Sequence, residues 1–263
     1  MVHTQPSQAK AQPKPVALFA SDIHLRPSLP RTTEAFFAFL KQASQAEQLY
    51  LLGDLFEYWA GDDDIPTPYN QQVVDAIRAV SDAGTRVFWI AGNRDFLVGS
   101  TFAAATGATL LDDPSVIEIA GHRIVITHGD AQCTDDAPYM AFRAQVRQAR
   151  WQAEFLAMPL GQRKAIIEGL RNDSKMEQKE KTVAIMDVNP EAIARLFTDS
   201  GTALMIHGHT HRPARHQHRQ GVRYVLPDWE CEHEHERGGW LAIYDNGDIV
   251  RHRLDGSVLD PAG

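Results

Sequence analysis

Five short clusters of side chains able to hold a metal punctuate this chain: Asp22-Ile23-His24, Gly53-Asp54, Gly92-Asn93-Arg94-Asp95, His128-Gly129-Asp130 and Gly208-His209-Thr210-His211. Carboxylate, imidazole and a single carboxamide together suit a pair of borderline-hard divalent cations such as manganese, whereas a structural zinc site would draw on thiolates. The chemistry such a set would perform is two-metal hydrolysis. For the groups to meet, each must sit at the end of a rigid element. Apolar runs of strand character precede all of them: Val16 to Ala20, Leu49 to Leu52, Val87 to Ala91, Ile124 to Thr127, and Ala203 to Ile206. Side chains at strand ends converge on one edge of a sheet.

The elements between these runs set the fold class. From Val16 to about Leu110 strands alternate with helical segments, such as Thr32 to Ala46 with Phe36, Phe37, Phe39 and Leu40 on its apolar side, which is the rhythm of an α/β sheet. Val116 to Ile119 and Ile124 to Thr127 flank Gly121 and His122 as a hairpin. From Pro138 to about Val188 strand character gives way to helix formers, with apolar residues spaced by three and four, so the segment 138–188 reads as an inserted helical cap. Asn189-Pro190-Glu191 opens a further helix that Gly201 closes, and Asp245-Asn246-Gly247 turns between two late strands. Residues 16–263 therefore read as a single domain, and the polar leader 1–15 as a disordered segment without the apolar stretch of a secretory signal.

Composition narrows the function classes. The chain has 263 residues, 43% hydrophobic and 23% charged, enough for one sizeable core. A net charge of −8 disfavours nucleic acid as a partner, because duplex binding relies on a basic surface. Cys133 and Cys231 are the only cysteines, which supports neither a disulfide framework nor a thiolate knuckle and fits the cytosol. Apolar runs fall short of the roughly 18 residues expected of a membrane span.

Taken in order, D-x-H, GD, GN-x-D, HGD and GH-x-H resemble the motifs of the calcineurin-like metallophosphoesterase superfamily, from Asp22 to His211. Leu52-Gly53-Asp54-Leu55-Phe56-Glu57, Arg94 where the superfamily usually has His, Cys133-Thr134-Asp135-Asp136, Ile185-Met186-Asp187-Val188-Asn189 and His207 to Pro213 are similar, more narrowly, to the UDP-2,3-diacylglucosamine hydrolase family of lipid A biosynthesis in Gram-negative bacteria. The resemblance implies an αββα sandwich of two sheets flanked by helices, with the cap over a site for two Mn2+ ions. Asp22, His24, Asp54 and His211 would hold one ion, and Asp54, Asn93, His128 and His209 the other. Asp95 and Asp130 would orient these ligands.

The same resemblance implies hydrolysis of a lipid-linked nucleotide sugar to UMP and 2,3-diacylglucosamine 1-phosphate (lipid X), by water attack on the α-phosphorus. Asp54, Asn93, Arg94 and Asp95 would carry catalysis. Cleaving a diphosphate expels a phosphate, so a proton donor matters less than a fixed, forked cation; Arg94 supplies one. Asn93, Arg94, Asp136, Ser174, Gln178, Lys181 and His209 would bind the substrate head group, with Gln178 standing where the family commonly has Asn. Lys175 and Lys179 read as a solvated helix face. Trp151, Phe155, Leu156, Met158, Leu160, Ile166 and Ile167 offer enough apolar surface to line an acyl slot, although core packing is the commoner role for any one of them. A lipid substrate implies peripheral contact with the cytoplasmic face of the inner membrane; the oligomeric state is left open by the sequence, with a monomer favoured.

Other features are read as structural. Asp62-Asp63-Asp64 is expected to be a solvated turn, and His216, His218, His233 and His235 to lie on solvent-exposed loops. Cys133 lacks an activating arrangement for a thiol nucleophile. Leu226-Pro227-Asp228-Trp229 departs from the family's usual Gly before the Asp and is expected to alter a late loop, not the metal chemistry. The alternatives are a nucleotide phosphodiesterase or phosphoprotein phosphatase of the same superfamily, which would carry His at Arg94, a nuclease, and a non-catalytic scaffold, which would have lost ligands.

Overall fold

Strand β1 (Pro15–Ala20) illustrates how the sandwich is built. Ala17 and Phe19 point to one face and Leu18 and Ala20 to the other, and both sets are buried, so the strand must be covered on both sides. The same division holds in β2 (Gln48–Leu51), β3 (Arg86–Ile90) and β10 (Gly239–Tyr244). In this computed structural model, which describes residues 13–178 and 187–259, the first sheet has the order β11-β10-β1-β2-β3-β4, where β4 is Thr109–Leu111 and β11 is Ile249–Arg253. Strands β1 to β4 run parallel, and β10 and β11 are antiparallel additions.

The second sheet takes β5 (Ser115–Ile119), β6 (His122–Ile126), β7 (Leu204–His207), β9 (Val222–Val225) and β8 (Ala214–Gln217), in that spatial order. Ile124, Ile126, Leu204 and Ile206 meet Phe19, Tyr50, Leu241 and Ile243 of the first sheet in a shared apolar layer. Outside the first sheet lie α1 (Pro30–Ala43), α2 (Pro68–Asp82) and α3 (Ser100–Thr106). Outside the second, α7 (Pro190–Ser200) places Ile193 and Phe197 on Val125 and Met205. The expected αββα sandwich is the fold observed.

Local chemistry explains most boundaries. Asn189 caps α7 by accepting from the N–H groups of Glu191 and Ala192, and Gly201 ends it at φ 61°. The β5–β6 turn falls on Ala120 and Gly121, at φ 47° and 81°, one residue earlier than expected, because a two-residue turn needs both central residues left-handed and frees His122 to pair with Ile119. Helix α1 is shifted two to three residues towards the N-terminus relative to the sequence reading, since Pro30 serves its first turn.

Between β6 and α7 come α4 (Ala137–Val146), α5 (Ala149–Leu156) and α6 (Leu160–Gln178). Their attachment corrects the expectation of a solvated acidic turn at Asp62-Asp63-Asp64. Asp62 accepts from the Trp59 indole and from the N–H groups of Gly99 and Phe102, at 3.0, 3.0 and 2.8 Å, fixing the start of α3. Asp63 pairs with Arg163, whose buried guanidinium also donates to the carbonyls of Ala60 and Met158, and Asp64 takes Lys164 at 2.6 Å. Asp63 stays exposed as expected, but Asp62 and Asp64 leave solvent because backbone donors of the α3 start and a lysine of α6 replace their water.

Candidate metal centre

The C-terminal ends of β1, β2, β3, β6 and β7 deliver the five clusters to one edge of the sandwich. The His209 N–H donates to Asp22 Oδ2 at 2.9 Å, which holds the two sheets' ends together, and within the second sheet the Gly208 N–H donates to the His128 carbonyl at 2.9 Å. Each strand must turn sharply just as it delivers its side chain. Asp22, His24, Asp54, His209 and His211 accordingly adopt φ between 52° and 67°, a left-handed conformation that non-glycine residues avoid and that marks sites held by their surroundings. Gly92 and Gly208 permit the close approach, since a Cβ on the first would strike Asp54 and on the second Asp22 and Ser21.

Two groups of donor atoms gather here, Asp22 with His24 and His211, and Asp22 with Asp54 and His128, each within 4.8 Å. His24 Nε2 and His211 Nε2 face each other at 3.2 Å, with Asp22 Oδ1 3.5 Å from the latter. Asn93 Oδ1 lies 2.9 Å from both His128 Nε2 and His209 Nδ1, and Asp54 Oδ1 is 3.6 Å from His128 Nε2. His128 Nδ1 donates to the Leu52 carbonyl at 2.8 Å, which orients its Nε2 into the cluster.

The donor set fits a cation. Acceptor atoms converge without enough protons to separate them, and buried Asp22 Oδ1 and His24 Nδ1 make no hydrogen bond at all. Electrostatics agree. Burial, helped by Asp95, pushes Asp54 up to about 6. Burial would lower His128, yet the carboxylates of Asp54, Asp22 and Asp130 outweigh it and hold the imidazole up at about 9. Burial and neighbouring Arg94 push His24 well below the usual imidazole range, and burial with His128 takes His209 down to about 4. The neutral imidazoles are ready to ligate, while the carboxylates demand positive charge.

Residues 16–213 match the calcineurin-like phosphoesterase family. The chain is 49% identical to a UDP-2,3-diacylglucosamine hydrolase of Aromatoleum aromaticum over 81% of this chain and 89% of that one. It is 46% identical to that of Ralstonia nicotianae, over 86% and 88%. The chain belongs to the UDP-2,3-diacylglucosamine hydrolase family. Among solved structures, a dimetal phosphatase from Danio rerio is similar at 14% identity, with a TM-score of 0.48 over 91% of this chain and 96% of that one.

Within this family frame, the seven residues read as ligands, Asp22, His24, Asp54, Asn93, His128, His209 and His211, lie together. Asp95 does not face the cluster: its fully buried carboxylate accepts from the N–H groups of Asp54, Leu55 and Gly92, at 3.2, 2.8 and 2.8 Å, which pins two ligand loops to each other. Asp130 accepts from Tyr139 Oη at 2.7 Å and Arg143 Nε at 2.8 Å. Burial would raise Asp130, but His128 and Arg143 outweigh it and hold the carboxyl below the usual range. Arg94 donates its backbone N–H to Asp54 Oδ1 at 2.8 Å and sets Nε 3.5 Å from Asp54 Oδ2. Asp136 caps α4 through the Tyr139 N–H. Ser174 and Gln178 belong to α6, with side chains outside those described, and Lys181 lies outside the described residues.

Several contributors escaped the sequence reading. Glu57 gathers Arg26, Arg94 and Arg171 around one carboxylate, the first two at 3.7 and 3.6 Å, and stands 3.7 Å from His24 Nδ1. Asp228 Oδ2 lies 3.7 Å from His211 Nδ1 and takes Arg237 at 2.7 Å, so the Leu226 to Trp229 loop reaches the side chain of a candidate ligand. His216 and His218 are also corrected: both are half-buried, on or next to β8, and His218 Nε2 accepts from Arg223 at 3.1 Å; His233 and His235 are exposed. The pairing of β8 with β9 brings His216 and His218 beside Arg223, which spacing along the chain did not show.

Beside Arg94 lies a cavity of about 190 Å3, lined by Asn93, Arg94 and Arg171 and by Phe142, Trp151, Phe155, Ile167 and Leu170 of the helical segment. Trp151 stacks on Phe155 with ring centroids 4.9 Å apart, forming a flat apolar wall. Leu156 is 40% exposed and leaves this wall, and Phe155 is buried core as much as lining.

Proposed function

We propose that the protein hydrolyses the diphosphate bond of UDP-2,3-diacylglucosamine, giving UMP and 2,3-diacylglucosamine 1-phosphate, with two manganese ions. The observation that carries this reading is the continuity of two unlike environments at Asn93 and Arg94: an acceptor-rich cluster on one side and an aromatic cavity on the other. Relatives 45–49% identical over more than four-fifths of the chain carry the same substrate in their names.

Asp22, His24, Asp54 and His211 would hold one ion, and Asp54, Asn93, His128 and His209 the other. Bound there, the ions supply Lewis acidity towards the phosphoryl oxygens and a lowered pKa for the attacking water. The chain's own residues do the rest. Arg94 sits beside Asp54 with a permanent, forked charge that grips the diphosphate and stabilises the expelled phosphate. Glu57 fixes the direction of that guanidinium and, with Arg26 and Arg171, leaves a local surplus of positive charge for a polyanion. Asp95 and Asp130 keep the ligand loops from relaxing, while the Trp151–Phe155 wall receives apolar chain and excludes water from the reacting group. Asp136, Ser174, Gln178 and Lys181 complete the head-group contacts.

No helix among the described residues is long and apolar enough to cross a membrane. Phe142, Leu156 and Leu170 are each about 40% exposed on the helical segment. We place this rim at the cytoplasmic face of the inner membrane, from which a monomer draws its substrate. Hydrolysis in 18O-labelled water followed by phosphorus NMR tests the reaction's direction. Label in UMP is expected; label in the sugar phosphate would overturn attack at the α-phosphorus.

A further inference from the structure

A second cavity, of about 910 Å3, opens at His211 and shares no lining residue with the one beside Arg94. Its floor is the segment Val225 to Asp228, and its far wall is β11 with the turn that follows, including Arg251, Asp255 and Leu259. That floor is bound to the ligand loops. The Leu226 N–H donates to the His207 carbonyl at 2.8 Å and the Trp229 N–H to the Asp22 carbonyl at 3.0 Å, and Asp228 stands behind His211.

We propose that this cavity is the nucleoside subsite, seating the uridine arm while the acyl chains occupy the cavity beside Arg94. The inference rests on the reaction proposed above, whose substrate has two unlike arms joined at the reacting diphosphate. The lipid arm matches the aromatic cavity at Arg94, so the other arm leaves the centre elsewhere, and His211 is where the second cavity begins. Its lining chemistry fits. Carboxylates at Asp228, Glu236 and Asp255 are the groups that accept from a ribose diol, and guanidiniums at Arg237, Arg251 and Arg253 are those that meet pyrimidine carbonyls. These groups are held within the protein, Arg237 with Asp228, Glu236 with Arg31, Asp255 with the Ser257 N–H and Arg253 with Ser257 and Val258, which fixes them as rigid walls whose remaining donor and acceptor positions face the cavity. Between these charges Pro213, Val225, Leu241 and Leu254 give apolar surface for the faces of a pyrimidine ring, so the lining meets a nucleoside with both kinds of surface it presents. The volume falls in the roughly 300–1,000 Å3 range of small-ligand sites, whereas the cavity of about 190 Å3 beside Arg94 encloses only part of the acyl chains and leaves the rest along the exposed helical face.

The test uses the full-length, manganese-loaded protein and two variants away from the ligands: Leu259→Trp, which narrows the cavity, and Arg251→Glu, which reverses one wall charge. KM for UDP-2,3-diacylglucosamine and the inhibition constant of UMP are measured beside turnover of bis(p-nitrophenyl) phosphate, which has no nucleoside. Both uridine-dependent constants should rise about tenfold in each variant, with diester turnover within about twofold of wild type. Unchanged UMP inhibition in both variants, or a parallel loss of diester turnover, would overturn the subsite. Failure of the wild-type protein to cleave the lipid nucleotide at all would instead remove the reaction on which it rests. Photocrosslinking of 5-iodouridine monophosphate to the unaltered protein gives an independent reading. Adducts in 225–228 or 251–259 support the assignment, and adducts confined to the Arg94 side contradict it.

Discussion

The edge that carries the ligands and the helical segment α4–α6 are held by different physics. At the edge, the ends of β1, β2, β3 and β7 are fixed by main-chain hydrogen bonds to the buried carboxylates of Asp22 and Asp95, and five residues are kept in left-handed backbone conformations. The helical segment is tied down by side-chain contacts over long sequence separations, Arg163 with Asp63, Lys164 with Asp64, Arg171 with Glu57 and Arg147 with the Gly92 carbonyl, and shows several large apolar side chains to solvent. A centre that must hold cations at fixed positions needs rigidity. A surface that must admit acyl chains needs apolar exposure and few tethers.

Perturbing the rigid edge should have the largest effects. Asp54→Ala is expected to abolish metal-dependent turnover, by on the order of a thousandfold or more, and to lower bound metal measured by elemental analysis. Full metal content in that variant would remove Asp54 from the ligands. Arg94→His should cut kcat for the diphosphate by about a hundredfold with metal content unchanged, since the forked charge is lost and the donor cluster is not. Glu57→Gln should act through Arg94, lowering kcat by about tenfold, with the folded state nearly as stable by urea unfolding.

The tethered segment predicts a different pattern. Arg163→Ala leaves the Ala60 and Met158 carbonyls without their donor and should cost about 2–3 kcal/mol of stability, read by urea denaturation, while metal content stays intact. The smallest effect concerns Cys133, whose thiol burial pushes up to about 12, with Asp130, Asp187 and Asp136 adding to it. The native protein should therefore resist alkylation at Cys133 at pH 8. Because the folded value lies above the unfolded one, this thiol's contribution to stability is intact below about pH 9 and is lost as pH rises towards 12. Cys133→Ala should flatten that decline.

The contrast also explains what could be read from the chain. Strand-end ligands were legible because residue type, glycine and the preceding apolar run are local signals, and the cap and turn at Asn189, Gly201 and Asp245-Asn246-Gly247 are equally local. Asp62 and Asp64 misled because an acidic turn reveals nothing of the Gly99 and Phe102 N–H groups or of a lysine a hundred residues away. Glu57 and Asp228 were missed as groups touching His24 and His211 for the same reason: their partners come from other strands and loops. Glu57 had one sequence signal, an acid three residues beyond Asp54, and Asp228 sat in the segment already marked as unusual. The cavity at His211 left no trace in periodicity, because it forms where a loop of one sheet faces an edge strand of the other.

The central claim is that a cation-dependent edge and an apolar cap act on one substrate. The most direct measurement is UMP release by metal-stripped protein from UDP-2,3-diacylglucosamine, with and without added manganese, beside UDP-glucosamine lacking acyl chains. Manganese-dependent release from the acylated substrate, with little from the unacylated one, is the predicted result. Equal release from both, or release independent of added metal, would contradict the account.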